Sequence, residues 1–246
     1  MRSDEFISFL MNNSKADEDV LRIRESVPLG FDNCDKVVFA RRPILAPYTK
    51  HVCVTGIRKT AFIKRLILTL SCLYDKTEAC FFVLSPKTEY GELLRLHTLD
   101  ITIPYIRTKA DIEDASRCLN ELIALHEKAI GIKKLFLVLD GLEEVNGCNQ
   151  NGDLEEYRNF IDALARKQNV EVISGMDLMK SIFSGYPGAY VGVGNCLVTT
   201  REDGKADVTY VGEDSTLSMP TPMFYPDSPS VTETVILFNA SKQDGE

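Results

Sequence analysis

No apolar run in this sequence is long enough to cross a bilayer. The longest, Leu66 to Leu70 and Leu135 to Leu139, fall far short of the ~20 residues a spanning helix needs. The start, Met1-Arg2-Ser3-Asp4-Glu5, has neither the basic lead nor the apolar stretch of a signal peptide. A cytoplasmic chain is expected, with the inner face of a membrane-bound complex as one setting and no direct membrane insertion. Metal-ligand spacing is missing too. The seven cysteines include no C-x-x-C pair, and the three histidines (His51, His97, His126) are scattered, so a zinc site has little support. Cys53 and Cys80 lie in apolar segments and read as reduced, packed thiols. An excess of basic charge is also lacking. A net charge of −8 argues against a domain that grips nucleic acid by neutralising phosphates. Two local basic clusters remain, Arg58-Lys59 with Lys64-Arg65, and Arg41-Arg42. No internal repeat or low-complexity tract is evident.

What is present is an ordinary globular balance, 44% hydrophobic and 26% charged, in 246 residues. That length buries a sizeable core without disulfides or metals. Residues 1–26 read as a helical lead-in that Pro28-Leu29-Gly30 ends, and Lys36 to Ala40 as a short strand. An alternation follows. His51 to Thr55, Ala79 to Leu84, Lys134 to Asp140 and Val170 to Ser174 read as buried strands. Lys59 to Tyr74, Thr88 to Leu96, Ala110 to Ile130 and Asp153 to about Lys167 read as helices. The last has Asp153 as N-cap and Glu156 completing a capping box in form. Asp100 to Ile106 reads as a further strand. Apolar strands alternating with helices predict an α/β fold with a mainly parallel sheet covered on both faces.

Beyond Met176 the pattern changes. Ser184 to Gly188 is a loop. Asn195 to Thr200 and Asp207 to Val211 predict a hairpin around Glu202 to Lys205. Residues 216–230, rich in proline, read as irregular, and Val235 to Phe238 as a last strand. The expected organisation is a lead-in (1–26), a core (27–183), C-terminal strands and loops completing the same domain (184–240), and a tail (241–246).

The chemistry centres on the first of these strands. A strand, a glycine turn and a Lys-Thr pair opening a helix form a P-loop arrangement. Its backbone N–H groups wrap a β-phosphate, its Lys meets the β- and γ-phosphates, and its hydroxyl holds Mg²⁺. Here Gly56, Arg58, Lys59 and Thr60 are the candidate nucleotide-binding residues. Only Ile57 and Arg58 separate Gly56 from Lys59, and a link of that length cannot encircle a phosphate. Leu135 to Asp140 has the form of a Walker B strand, whose terminal acid would join Thr60 in holding Mg²⁺. Where many such ATPases place a water-activating Glu, this chain has Gly141. Glu143 and Glu144 follow at offset positions. Asp140, Glu143 and Glu144 are the catalytic candidates, and Asp140 is equally a strand-end acid capping a loop.

Between about Pro28 and Gly175 the sequence resembles the FtsK/SpoIIIE ATPases, including the tandem ATPase modules of type VII secretion proteins (the EssC/EccC group). Pro28-Leu29-Gly30 is similar to a segment preceding the core in that family. Phe81 to Lys87 resembles its second strand, which ends Asp-Pro-Lys where this chain has Ser85-Pro86-Lys87. Leu164 to Lys167 matches the helix end that follows Walker B. Val170 to Ser174 takes the place of the strand that carries a polar sensor. Gly192 to Tyr210 is similar to a Gly-rich strand pair. The resemblance implies a RecA-like core, with ATP and Mg²⁺ as the cofactors it would admit. It also implies other ATPase modules or secretion substrates as partners, and an oligomer as the usual state of active relatives. Departures at the loop, Ser85 and Gly141 fall on three functional positions. They imply an inactive or weak ATPase kept as an interaction or regulatory module. The alternatives are an active motor with an atypical loop, and a DNA-binding translocase module.

Overall fold

The computed structural model describes residues 27–34, 36–40, 51–74, 76–95, 100–128, 134–145, 169–175, 196–210 and 220–224. The helical lead-in, Arg41-Arg42, the Asp153 to Lys167 helix, the Ser184 to Gly188 loop, the Val235 to Phe238 strand and the tail lie outside them. The strands are β1 (Pro28–Phe31), β2 (Val37–Phe39), β3 (His51–Gly56), β4 (Ala79–Leu84) and β5 (Asp100–Thr102). They continue with β6 (Lys134–Asp140), β7 (Val170–Gly175), β8 (Cys196–Thr200), β9 (Lys205–Tyr210) and β10 (Thr221–Phe224). Two α-helices are described, α1 (Lys59–Leu73) and α2 (Lys109–Lys128), with short 3₁₀ segments at Thr88–Arg95 and Leu142–Glu144.

The strands form one ten-stranded sheet in the order β2-β1-β10-β9-β8-β3-β7-β6-β4-β5. From β8 to β5 every neighbouring pair is parallel. From β8 to β2 every pair is antiparallel. β4 and β7 are buried at every residue, as is β6 beyond Lys134, which is why Ala79 to Leu84 and Leu135 to Leu139 read as unbroken apolar runs.

Successive side chains of a strand point to opposite faces. On β4, Phe81 and Val83 join Phe62, Ile63 and Leu66 of α1 in one core. Cys80, Phe82 and Leu84 join Ile112, Ala115 and Leu119 of α2 in the other. The helices thus cover opposite faces of the parallel half. Phe81 stacks on Phe136 at 4.8 Å between ring centroids, and Tyr74 meets the same ring at 5.5 Å. Phe136→Ala is expected to cost about 3–5 kcal/mol, since the ring is fully buried and its neighbours are held by the sheet. Urea unfolding would show this as a lower midpoint with an unchanged slope.

Pro28-Leu29-Gly30, read as ending a lead-in that lies outside the described residues, itself forms most of β1, paired with Val37–Phe39 across an irregular register. Two expectations are corrected. Asp100 to Ile106 is a strand only as far as Thr102. Pro104, which has no N–H for a ladder, stands two residues further on, and among the described residues the chain meets β4's side of the sheet again only through a Ser85–Tyr105 bridge. The proline-rich stretch 216–230 contains β10, which pairs with β9 from Thr221 to Phe224. Pro222 is tolerated there because, among the described residues, β1 meets β10 only at Phe31–Phe224, leaving Pro222 without a ladder partner on that side.

Candidate functional site

In a parallel sheet the C-terminal ends of the strands gather along one edge, where ligands of open α/β folds bind. Here that edge collects Gly56 (β3), Ser85 to Lys87 after β4, Asp140 (β6), Gly175 (β7) and Thr200 (β8).

The glycine turn is short and closed. Gly56 has φ +99°, a conformation that suits glycine, and a Cβ there would lie 2.2 Å from the Thr200 carbonyl oxygen. The Thr200 hydroxyl donates to the Thr55 carbonyl at 2.9 Å and accepts from the Arg58 backbone N–H at 3.3 Å. An amide of the kind that a P-loop turns toward phosphate is therefore directed at the neighbouring strand. Ile57 stands at the tip, 74% exposed. Helix α1 starts at Lys59 with neither a side-chain cap on its N-terminus nor an acid in its first turn. Lys59 and Thr60 are half-buried there. The basic cluster read from the sequence is divided: Lys64 pairs with Glu92, and Arg65 is buried within α1.

Asp140 is fully buried, and its carboxylate is surrounded by donors. The Thr60 hydroxyl donates to Oδ2 at 2.7 Å and the Tyr90 phenol to the same oxygen at 2.9 Å. The Lys87 ammonium lies 3.1 Å from Oδ1 and 3.2 Å from Oδ2, and also donates to Thr60 Oγ1 at 2.7 Å. Glu144 stands at the rim, its carboxylate 3.9 Å from Lys87 Nζ, and Glu143 shares the same 3₁₀ turn.

Two glycines make room for this cluster. Gly175 lies so close to Asp140 that a Cβ would sit 2.5 Å from Oδ1. Gly141, at φ +74°, would place a Cβ 2.8 Å from Lys87 Cε. The position of the water-activating acid is thus held by a glycine whose backbone is left-handed. At the turn after β4, the Ser85 hydroxyl accepts the Lys87 backbone N–H at 3.2 Å.

Thr60 and Asp140, paired in the sequence reading, do meet. Lys87 and Tyr90 join them and had no role assigned from sequence. The available signals were Lys87 directly beyond a buried strand and the glycine at 141. In P-loop enzymes Mg²⁺ is held by the loop hydroxyl and the Walker B carboxylate. Those oxygens are present here, but they are engaged by Lys87, Tyr90 and one another. As arranged they do not fit an octahedral cation with ligands at ~2.0–2.1 Å.

Burial pushes the Tyr90 phenol well above its ordinary value, and the adjacent Asp140 charge adds to the shift. A raised folded-state value means stability that is present below the unfolded value of ~10 and is lost as pH climbs toward the folded one. Tyr90→Phe is therefore expected to be less stable than wild type near neutrality, by about 1.5–3 kcal/mol for a hydrogen bond to a charged group. The gap should narrow above about pH 10. Urea midpoints across that range check it.

A mainly parallel sheet flanked by helices, with a glycine turn before Lys-Thr and an acid ending a nearby strand, is an α/β domain of RecA-like fold. Among solved structures, the chain is similar to the cytoplasmic domain of the Thermomonospora curvata type VII secretion ATPase EccC. The TM-score is 0.62 at 14% identity, covering 96% of this chain and 34% of that one. A structure described as an ATPase matches with TM-score 0.60 at 12% identity, over 92% of this chain and 94% of its own. EssC (ATPases 2 and 3) from Geobacillus thermodenitrificans matches with TM-score 0.56 at 10% identity, over 89% of this chain and 49% of its own. The chain thus spans about a third of the EccC structure and half of the EssC one. At these identities the likeness is one of fold. No protein-family model matches the sequence, and no curated protein matches it significantly.

Proposed function

We propose that this chain is a degenerate ATPase module serving as an interaction or regulatory domain of a secretion or translocation assembly. The observation that carries the reading is the closed loop. Thr200 holds the Arg58 N–H and crowds Gly56, so the turn offers no ring of amides to a phosphate. The contact of Asp140 with Lys87 agrees with it, since the carboxylate already has a cationic partner within the chain. The secretion setting rests on the fold shared with EccC and EssC domains. One such structure, of Thermomonospora curvata EccC ATPases 2 and 3, is in complex with a signal sequence peptide. By that likeness the proposed partners are other ATPase modules or signal-bearing substrates.

An active motor is the second reading, favoured by the 2.7 Å contact between Thr60 and Asp140, the two groups a Mg²⁺ site would use. Glu143 or Glu144 would then activate water. Phosphate release at saturating ATP and Mg²⁺ separates the two readings. The degenerate module shows the same background rate in wild type and Asp140→Asn. A motor would lose ~10²-fold or more in the variant.

A further inference from the structure

We propose that the Lys87 ammonium is a built-in replacement for the divalent cation of a P-loop site. The inference rests on the degenerate-module reading and gives it a mechanism. A loop hydroxyl and a strand-end carboxylate are the protein groups that grip Mg²⁺ in working P-loop domains. Lys87 Nζ lies among those same oxygens: Thr60 Oγ1 at 2.7 Å and the two Asp140 oxygens at 3.1 and 3.2 Å. These are hydrogen-bond distances for an ammonium, and about 0.6–1.2 Å too long to be metal–ligand spacings around the same point.

The charge arithmetic explains the exchange. A nucleotide's phosphates and the carboxylate together call for a divalent ion. The carboxylate alone is balanced by one ammonium. Tyr90 supplies a further donor to Asp140 Oδ2, so the buried acid is compensated without solvent or ligand.

Lys87 matches the lysine of the Asp-Pro-Lys pattern, and the two departures nearest it both touch it. Ser85 shapes the turn by accepting the Lys87 N–H. Gly141, at φ +74°, lies against the end of the lysine, where a Cβ would come within 2.8 Å of Cε.

The test uses Mn²⁺ alone, without nucleotide, so that its outcome is separate from whether ATP binds or turns over. Electron paramagnetic resonance titration would follow free Mn²⁺ with wild type, Lys87→Ala, Asp140→Asn and Lys87→Ala/Asp140→Asn. Wild type is expected to bind no more Mn²⁺ than Asp140→Asn. Lys87→Ala should bind at least roughly tenfold more tightly than wild type, a difference of about 1.4 kcal/mol, and the double variant should lose the gain. If Lys87→Ala does not fold, Lys87→Met keeps the packing of the stem and is read in the same way. Asp140-dependent Mn²⁺ binding by wild type would overturn the proposal. So would a folded Lys87 variant that gains none.

Discussion

Gly56→Ala is expected to lower the stability of this chain by about 3 kcal/mol or more. A non-glycine residue held in a sparsely populated backbone region costs on the order of 1–3 kcal/mol. Gly56 sits at φ +99°. The new methyl group would also lie 2.2 Å from the Thr200 carbonyl oxygen and 2.8 Å from its hydroxyl. Both belong to β8, whose register with β3 runs from Cys196 to Thr200, so neither can yield without parting the strands. Overpacking of that kind adds about 1–3 kcal/mol. Gly91→Ala is the control, because nothing lies within 4 Å of a Cβ at that position. Its effect should stay within about 0.5 kcal/mol. Urea unfolding of the three proteins, with slopes compared, makes the measurement.

Asp140→Ala is the second large effect. The carboxylate is fully buried and Lys87 is 17% exposed, so deletion leaves an ammonium mostly out of water. Breaking a buried pair by removing one partner costs about 3–5 kcal/mol. The partial exposure of Lys87 places the expectation at the lower end, about 3 kcal/mol, with lost bonds to Thr60 and Tyr90 included. Replacing the pair together tests the cause. Lys87→Met with Asp140→Leu removes both charges and should recover much of the loss, as apolar exchanges of buried ion pairs often do. If the double variant is no better than Asp140→Ala, the ion pair is not the reason for the cost.

The parallel half of the fold was legible because burial on both faces makes a strand apolar throughout. Ala79 to Leu84 and Leu135 to Leu139 leave little else for the chain to do. The antiparallel half was harder to read. β1 begins with a proline and is four residues long, and its neighbour β10 lies at the other end of the chain. Local pattern cannot announce a pairing between Phe31 and Phe224. The hairpin of β8 and β9 was legible, because Asp203-Gly204 marks its turn and Gly204 takes φ +76° there.

The site divides in the same way. Gly56, Thr60 and Asp140 carry a motif and could be placed beside one another from its spacing. Lys87, Tyr90 and Thr200 carry none. Each acts through a contact between elements far apart in sequence, as in the bond from the Arg58 amide to Thr200. Gly141 was read as a missing acid, and its meaning needed the position of the Lys87 stem.

The central claim is that a P-loop-type fold here is closed to nucleotide. Isothermal titration of ATP with excess Mg²⁺ into the whole chain tests it most directly. The account predicts no binding in the micromolar range, for wild type and Lys59→Ala alike. Micromolar binding by wild type that Lys59→Ala abolishes would contradict it.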